Sequence, residues 1–172
     1  MDVAELLARA EIEDVLLRYY RGIDRMDWPL VEDCFFADAH VDFGCFEFAG
    51  DRTAFLAWLQ EPQMVPAFER TMHFAGNRLV EVDGDVAHTE TYCIAHHRGT
   101  DAHPWGTAFA LNWLRYLDRF ERRDGAWRIA RRVVLVEWGA KLGVDEWMEL
   151  ADSHLGRRDR NDRSYDRQET RT

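Results

Sequence analysis

The sequence predicts an α+β fold, a cone-shaped barrel in which three N-terminal helices pack in a strongly curved, mixed or antiparallel sheet of five to six strands. Residues 3–26 carry apolar side chains at spacings of three and four, the period of an amphipathic helix. After Pro66 the chain becomes rich in strand-forming residues, arranged in four runs. Helices followed by a block of strands are typical of α+β domains.

The helical part contains three segments. After the first helix, Asp27 is a candidate N-cap and Pro29 lies near the first turn of a second helix over residues 29–36. The third helix begins near Asp51 or Thr53, either of which can cap it.

The strand part contains one early strand and two long hairpins. Alternating apolar and polar residues predict the early strand over residues 40–48. The later runs span residues 71–82, 86–98, 107–122 and 126–138. Asp-Gly turns at residues 83–85 and 123–125 join them in pairs. A last helix is expected over residues 145–155. A strongly bent sheet of this kind closes around the helices and leaves a pocket between the two layers.

Length and composition indicate one domain with a tail. The 172 residues are enough for a single domain, which we place at residues 1–155. Residues 156–172 contain almost no apolar side chain, so they are expected to form a disordered, charged tail.

Charge and residue usage exclude several classes of protein. The net charge of −10 argues against a nucleic-acid partner, and no run approaches the roughly 18 apolar residues that a membrane span needs. The N-terminus has no basic stretch followed by an apolar one, so a cytoplasmic location is expected. Cys34, Cys45 and Cys93 are odd in number and lack CxxC spacing, which favours buried thiols over a disulfide framework or a zinc site.

Three sequence patterns stand out between about residues 5 and 140. They are Tyr19 to Asp24 with Asp27-Trp28, then Met72-His73-Phe74 with the turn Val82-Asp83-Gly84-Asp85, then Tyr116-Leu-Asp-Arg-Phe120 with Asp124-Gly125-Ala-Trp127. Together they resemble the SnoaL-like branch of the nuclear-transport-factor-2-like superfamily, which includes scytalone dehydratase, hexachlorocyclohexane dehydrochlorinase and bile-acid dehydratase. The resemblance implies the fold more strongly than the reaction, because this superfamily holds enzymes, binding proteins and assembly subunits.

The resemblance also implies a catalytic pair. In the dehydratases and the dehydrochlorinase, an aspartate at the end of the first helix holds a histidine that removes a substrate proton, and Asp24 and His73 match those positions. Tyr19 looks like the tyrosine with which some of these dehydratases polarise a carbonyl or assist a leaving group. Tyr20 competes for this role, because it lies one helical turn before Asp24 and shares its face. We take Tyr19 as catalytic and Tyr20 as substrate-binding.

Two pairs of neighbours are ambiguous, because adjacent side chains on a strand point to opposite faces. Of His96 and His97, we take His96 as the pocket-facing helper, similar to the second strand histidine of scytalone dehydratase. Of Arg131 and Arg132, we take Arg131 as the inward arginine, because it shares a face with Trp127, although a strand bulge would reverse the choice.

The predicted chemistry is proton abstraction in an aromatic pocket. The expected wall residues are Phe43, Phe46, Trp58, Met72, Phe74 and Trp113. Imidazole has an ordinary pKa of about 6.5, and a neighbouring carboxylate orients it and stabilises its protonated form. The sequence therefore predicts a lyase (a dehydratase or another β-eliminating enzyme) or an isomerase that acts on a small cyclic or polyketide-like substrate. Such a site needs no metal and no organic cofactor when the substrate carries its own acidifying group.

Two alternatives remain open. The chain can be a non-catalytic module that binds a ligand or serves assembly, resembling the β subunit of aromatic-ring-hydroxylating dioxygenases. It can also be an enzyme similar to ketosteroid isomerase, with a strand carboxylate such as Asp42 as the base. The broad sheet is expected to pair into a homodimer or a homotrimer. A Gly-rich phosphate loop, GxSxG and HExxH are all absent from the sequence, so hydrolase and nucleotide-binding functions lack support.

Overall fold

The protein, seen in a computed structural model that describes residues 2–99, 109–143, 148 and 155–166, packs three helices against one six-stranded sheet. The helices are α1 (Val3–Arg25), α2 (Trp28–Asp33) and α3 (Arg52–Leu59). The strands are β1 (Phe35–Phe43), β2 (Phe48–Asp51), β3 (Phe68–Asp83), β4 (Val86–Gly99), β5 (Phe109–Arg123) and β6 (Ala126–Leu142). The predicted α+β class and its three helices are confirmed. No helix among these described residues is long and apolar enough to cross a membrane.

Helix α1 is defined by a cap at each end and a buried stripe between them. Asp2 accepts a hydrogen bond from the Glu5 backbone N–H at 2.9 Å, which satisfies one of the free donors of the first turn. The helix ends at Met26, which adopts a left-handed conformation with φ of 50°. Its buried side chains are Ala8, Ile12, Val15, Leu16, Tyr19, Tyr20 and Ile23. This stripe lays the helix across the sheet and brings its C-terminal end to β3.

The strand order is β2-β1-β6-β5-β4-β3. Strand β1 runs parallel to β6, and every other pair is antiparallel, so the sheet is mixed. The sheet is open rather than closed, since β2 and β3 are its edges. The turns of the two long hairpins fall at Gly84 and at Gly125, both of which have positive φ, as the Asp-Gly pattern predicts.

The early strand differs from its prediction over residues 40–48. Strand β1 begins at Phe35, directly after the short helix α2, and the chain then turns through residues 44–46 before β2. Asp42 accepts a hydrogen bond from the Gly44 backbone N–H at 2.8 Å, and Glu47 adopts φ of 60°. A local side-chain-to-backbone bond of this kind competes with the strand ladder and breaks the run in two.

The C-terminal region also differs from its prediction. Residues 156–166 were expected to belong to a disordered tail, but they lie against the end of α1, where Arg158 and Asp162 are buried. Ion pairs and hydrogen bonds hold this segment, and a prediction based on apolar content does not detect such contacts. The helix expected over residues 145–155 falls almost entirely outside the described residues, as do residues 167–172.

Candidate active site

Asp24 and His73 meet where the last turn of α1 crosses β3. Nδ1 of His73 lies 2.8 Å from Oδ1 of Asp24, and the His73 backbone N–H donates to Oδ2 at 3.0 Å. The Thr71 hydroxyl donates to Oδ1 at 2.9 Å. The side chains of His73 and Asp24 are only 9% and 15% exposed. The carboxylate therefore has a hydrogen-bond donor on each oxygen in a nearly closed environment.

These bonds determine the charge of Asp24 and the tautomer of His73. Burial alone would raise the pKa of Asp24, but the ring and backbone hydrogen bonds of His73, its electrostatic attraction and the Thr71 hydroxyl outweigh burial and hold this pKa below its ordinary value. An ionised carboxylate only accepts hydrogen bonds, so Nδ1 of His73 carries the proton. Nε2 is left with the lone pair, which makes it the basic atom of the ring.

His73 lines a narrow, mainly apolar cavity between the helices and the sheet, with a volume of about 80 Å³. Its polar lining residues are Tyr19, Gln63, Thr71, His73, His97, Asn112 and Tyr116, and its apolar ones include Ile23, Phe43, Phe46, Trp58, Val65, Phe68 and Leu114. Phe43, Phe46 and Trp58 thus lie where the sequence predicts wall residues. The unbranched side chains of Gln63 and Met64 are part of this wall and can change its width by changing rotamer.

The two tyrosines of α1 have different positions. Tyr19 lines the cavity, and burial raises its pKa to about 12 against the opposing charge of Arg132. Tyr20 lies behind the histidine, with its ring nearly parallel to the His73 ring at a centroid distance of 6.5 Å. Its hydroxyl is buried and has no hydrogen-bond partner among the described residues. Tyr20 does not line the cavity, so the geometry does not support its prediction as a substrate-binding residue.

The choice of His96 over His97 was wrong. His97 lines the cavity, and its ring stands edge-on to the His73 ring at 5.8 Å. His96 lies on the opposite face of β4, with its ring near Phe109. Strict alternation explains this result, because the buried residues of β4 are odd-numbered, including Cys93 and Ala95. Burial lowers the pKa of His97 to about 3, so this ring is uncharged at neutral pH.

The choice of Arg131 over Arg132 was also wrong, and a bulge is the reason. Ile129 pairs with Phe120 and Arg131 with Arg119, which leaves Ala130 as an extra residue in β6. Arg131 is therefore exposed on the outer face, whereas Arg132 is completely buried. The guanidinium of Arg132 lies 4.0 Å from the Tyr19 ring centroid, behind the cavity wall.

Met72, Phe74 and Trp113 were wrongly predicted to be wall residues. Met72 is 62% exposed and does not line the cavity. Because His73 points inward, its neighbour Phe74 points outward, and it is 63% exposed. Trp113 stacks on Trp138 at a centroid distance of 5.5 Å on the same outer face. A groove on the outside of the sheet is lined by Phe74, Tyr92, Trp113 and Trp138.

Sequence reasoning missed Thr71, Asn112 and Asp118 as parts of the site or its support. Asp118 is fully buried and pairs with Arg132, with Nε and Nη2 each donating at 2.7 Å. A detectable signal was present, because the buried residues of β5 are even-numbered and Asp118 interrupts this apolar series with a charge. An inward carboxylate predicts an inward cation on a neighbouring strand.

Within the described ranges, no cluster of three or more His, Cys, Asp or Glu side chains has the geometry to hold a metal ion.

The chain matches known proteins along most of its length. An uncharacterised protein of Mycobacterium tuberculosis is 31% identical over 134 residues, which cover 77% of this chain and 88% of that protein. Among solved structures, the hexachlorocyclohexane dehydrochlorinase LinA-type3 of Novosphingobium barchaimii has a TM-score of 0.75 at 17% identity, covering 87% of this chain and 100% of that one. A candidate scytalone dehydratase of Novosphingobium aromaticivorans has a TM-score of 0.72 at 22% identity, covering 84% and 93%.

These structural similarities establish the shared fold. The family model for the SnoaL-like domain matches residues 4–133, which include Asp24, His73 and Arg132. The chain therefore belongs to the SnoaL-like domain family.

Proposed function

We propose that the protein is a cofactor-independent lyase or isomerase in which His73 is the general base and Asp24 orients it. The observation that carries this proposal is the 2.8 Å contact between Nδ1 of His73 and Oδ1 of Asp24, made beside a cavity that the histidine lines. The contact leaves Nε2 as the proton acceptor, and the carboxylate stabilises the imidazolium that forms after proton transfer.

The proposed reaction begins with a substrate that carries a carbonyl group. Nε2 of His73 takes a proton from the carbon beside the carbonyl, and the electrons of the broken C–H bond form an enolate. In the lyase, the enolate re-forms the carbonyl as the bond to the leaving group on the next carbon breaks, which leaves a C=C bond. A halide departs as the anion, whereas a hydroxyl group takes a proton from Tyr19 or from the His73 imidazolium as it departs and is released as water. In the isomerase, the proton returns to another carbon. Tyr19 is the proposed donor to the carbonyl oxygen or the leaving group, since its raised pKa keeps it protonated.

The cavity restricts the substrate to a compact, largely apolar molecule. Its volume of about 80 Å³ is below the roughly 300–1,000 Å³ of pockets that hold drug-sized ligands. Entry of a cyclic substrate therefore requires wall side chains such as Gln63 and Met64 to move. Trp58 and Tyr116 provide flat surfaces against which a ring can pack.

The experiment is turnover on a panel of cyclic β-hydroxy ketones, monitored by the ultraviolet absorption of the enone product. His73→Ala is expected to lower kcat/KM by at least about 10²-fold, the lower range for loss of a general base. His96→Ala is the matched control, because it removes the same ring from the outer face of the sheet, and it should retain activity. Equal activity of the wild type and His73→Ala would overturn the proposal.

A second candidate is a non-catalytic assembly module, which the outer sheet face favours. Met72, Phe74, Tyr92 and Trp138 are exposed there by 62%, 63%, 47% and 58%. Contiguous exposed apolar surface is typical of protein interfaces, so we propose a homo-oligomer in either case. Light scattering of the wild type and of Phe74→Glu tests this, with a shift to monomer expected. An oligomer that converts no member of the ketone panel would favour the assembly module.

A further inference from the structure

Residues 155–166, here called the C-terminal strap, insert a buried arginine behind the proposed active site. Arg158 is only 8% exposed. Its Nε donates to the Asp24 backbone carbonyl at 3.3 Å, and its Nη1 donates to the carbonyls of Val65 and Phe68 at 3.0 and 2.6 Å. One guanidinium therefore joins three separate segments of the main chain.

All three segments build the candidate site. Asp24 lies in the last turn of α1, where backbone carbonyls have no partner within the helix. The backbone N–H of Met26 donates to the carbonyls of Gly22 and Ile23. Arg158 supplies the donor for the carbonyl that follows these two, that of Asp24. Val65 and Phe68 line the cavity, and Phe68 is the first residue of β3, the strand that carries His73. Arg158 thus connects the strand of His73 to the helix of Asp24.

The charge of Arg158 also acts on this region. Its three acceptors are carbonyl oxygens, so no carboxylate among them neutralises the guanidinium. Burial lowers the pKa of Arg158 to about 10, while the negative charge of Asp24 opposes that shift. A cation at a helix C-terminus is favourable for the helix dipole as well. The Asp24 carboxylate therefore interacts with His73 through hydrogen bonds and with Arg158 through the attraction of opposite charges.

Further contacts hold the strap in place. Asp27 is 5% exposed and accepts from Nη2 of Arg160 at 2.7 Å and from the Tyr165 hydroxyl at 2.8 Å. It occupies the N-cap position of α2 but makes no capping bond there, so its carboxylate serves the strap instead. Asp162 of the strap pairs with Arg25 of α1 at 3.4 Å. The carboxylates of Asp27 and Asp162 are buried, and each has a more exposed arginine as its partner, which offsets the cost of burying the negative charge.

We propose that Arg158 is a positioning residue for the reaction, holding the backbone of Asp24 and the start of β3 so that the carboxylate meets Nδ1 of His73. The inference rests on the proposed function of that pair. Without Arg158, three carbonyl groups lose the hydrogen bond that the guanidinium donates, and the end of α1 is free to move relative to β3. A displacement of about 1 Å at a catalytic group can cost 10²-fold in rate.

The test observes the Asp24–His73 contact directly by nuclear magnetic resonance of the full-length protein. In the wild type, the His73 Nδ1–H proton should resonate far downfield, and the ring ¹⁵N shifts should show the Nδ1-protonated tautomer. In Arg158→Ala and Arg158→Gln, exchange of this proton with water should become at least about tenfold faster, because the hydrogen bonds that the charged guanidinium donates are lost. Arg157→Ala is the matched control, because its side chain is 62% exposed on the same strap.

The outcomes separate this inference from the proposed function. A folded Arg158 variant with unchanged Nδ1–H exchange and an unchanged tautomer would overturn it, even if the wild type turns over ketones. Faster exchange in the variant supports it, even if every ketone on the panel fails. If neither variant gives a folded spectrum, Arg158 is a general stabilising residue and the positioning role is wrong. Where a substrate is found, the loss should fall on kcat more than on KM, and Arg158→Lys should restore part of it.

Discussion

Asp118 and Arg132 form a doubly hydrogen-bonded ion pair in the centre of the domain. Nε and Nη2 of Arg132 each donate to a different oxygen of Asp118 at 2.7 Å, and both side chains are 0% exposed. The rings of Tyr19 and Tyr116 lie 4.0 and 4.5 Å from the guanidinium carbon. The pair therefore supports, from behind, two tyrosines that line the cavity.

This arrangement predicts a large asymmetry between breaking the pair and replacing it. Asp118→Asn leaves a buried, unpaired guanidinium and should lower the free energy of unfolding by about 3–5 kcal/mol. The double variant Asp118→Leu with Arg132→Met removes both charges and should be less destabilised than Asp118→Asn. Urea unfolding of the three proteins at neutral pH measures the difference.

The control for this prediction is a surface pair of the same chemistry. Glu137 pairs with Arg115, and their side chains are 35% and 26% exposed. Glu137→Gln should therefore cost about 1 kcal/mol or less. If Asp118→Asn costs no more than Glu137→Gln, the buried pair does not have the energetic role assigned to it.

The long helix and the long strands were predictable from sequence. The face of the sheet on which an individual side chain lies was not. Periodicity located α1 and four long strands because these patterns extend over many residues. A single extra residue, Ala130, exchanges the faces of Arg131 and Arg132, and no composition signal marks it. The position of His97 follows from simple alternation along β4, which groups it with Cys93 and Ala95, whereas the resemblance implied one strand histidine without distinguishing the two.

The meeting of Asp24 and His73 is a property of the tertiary structure. The two residues are 49 positions apart, and only the crossing of α1 over β3 brings them together. Family resemblance selected them; their spacing alone did not. The strap was missed for a different reason, because charged residues such as Arg158 resemble a solvated tail until their partners are known.

Thr71 should stabilise the protein through its bond to Asp24. Thr71→Val keeps the shape of the side chain but removes the donor to Oδ1, and hydrogen bonds to charged groups contribute about 1.5–3 kcal/mol. We expect a loss of about 1–2 kcal/mol in urea unfolding, because the other hydrogen bonds to the carboxylate remain. The pKa of Asp24 should rise as well.

The control for Thr71→Val is Thr91→Val, which should not destabilise the protein. Thr91 is 0% exposed, and its hydroxyl has no hydrogen-bond partner among the described residues. Thr91→Val therefore removes a buried polar group that contributes no bond, and it should be neutral or stabilising. Equal losses in Thr71→Val and Thr91→Val would contradict the assigned role of the Thr71 hydroxyl.

His97 should make stability fall on acidification. Its folded-state pKa is about 3, whereas an unfolded histidine has a pKa of about 6.5. Between these values the unfolded chain binds a proton that the folded protein does not, so stability is complete above about pH 6.5 and is lost progressively as the pH falls toward 3. One such proton contributes a slope of about 1.4 kcal/mol per pH unit.

Urea unfolding at several pH values between 4 and 8 tests this for the wild type and for His97→Gln. The variant lacks the titrating ring, so the slope of its unfolding free energy against pH should be smaller by up to about 1.4 kcal/mol per pH unit, the contribution of one proton. The comparison uses slopes rather than absolute stability, so it is independent of the packing cost of the substitution. Identical slopes would show that His97 is not the group responsible.

Gly22 allows α1 and α2 to approach closely, and an added methyl group should be costly. A Cβ at this position would lie 2.6 Å from Cγ2 of Val31 and 3.2 Å from its backbone nitrogen. Alanine favours a helix over glycine by about 1 kcal/mol, but overpacking in a well-packed core costs about 1–3 kcal/mol and should prevail. We expect Gly22→Ala to lower the free energy of unfolding by about 1–2 kcal/mol.

A double-variant cycle identifies the cause. Val31→Ala removes the methyl group that a Cβ at Gly22 would strike, so Gly22→Ala should be better tolerated in that background, with a coupling energy of about 1 kcal/mol or more. Gly76→Ala is the matched control, because the nearest heavy atom to its Cβ is the Tyr92 carbonyl oxygen at 4.0 Å, and its cost should stay within about 0.5 kcal/mol. Additive effects of Gly22→Ala and Val31→Ala would place the strain elsewhere, at the backbone contact between the two helices, which Val31→Ala leaves in place.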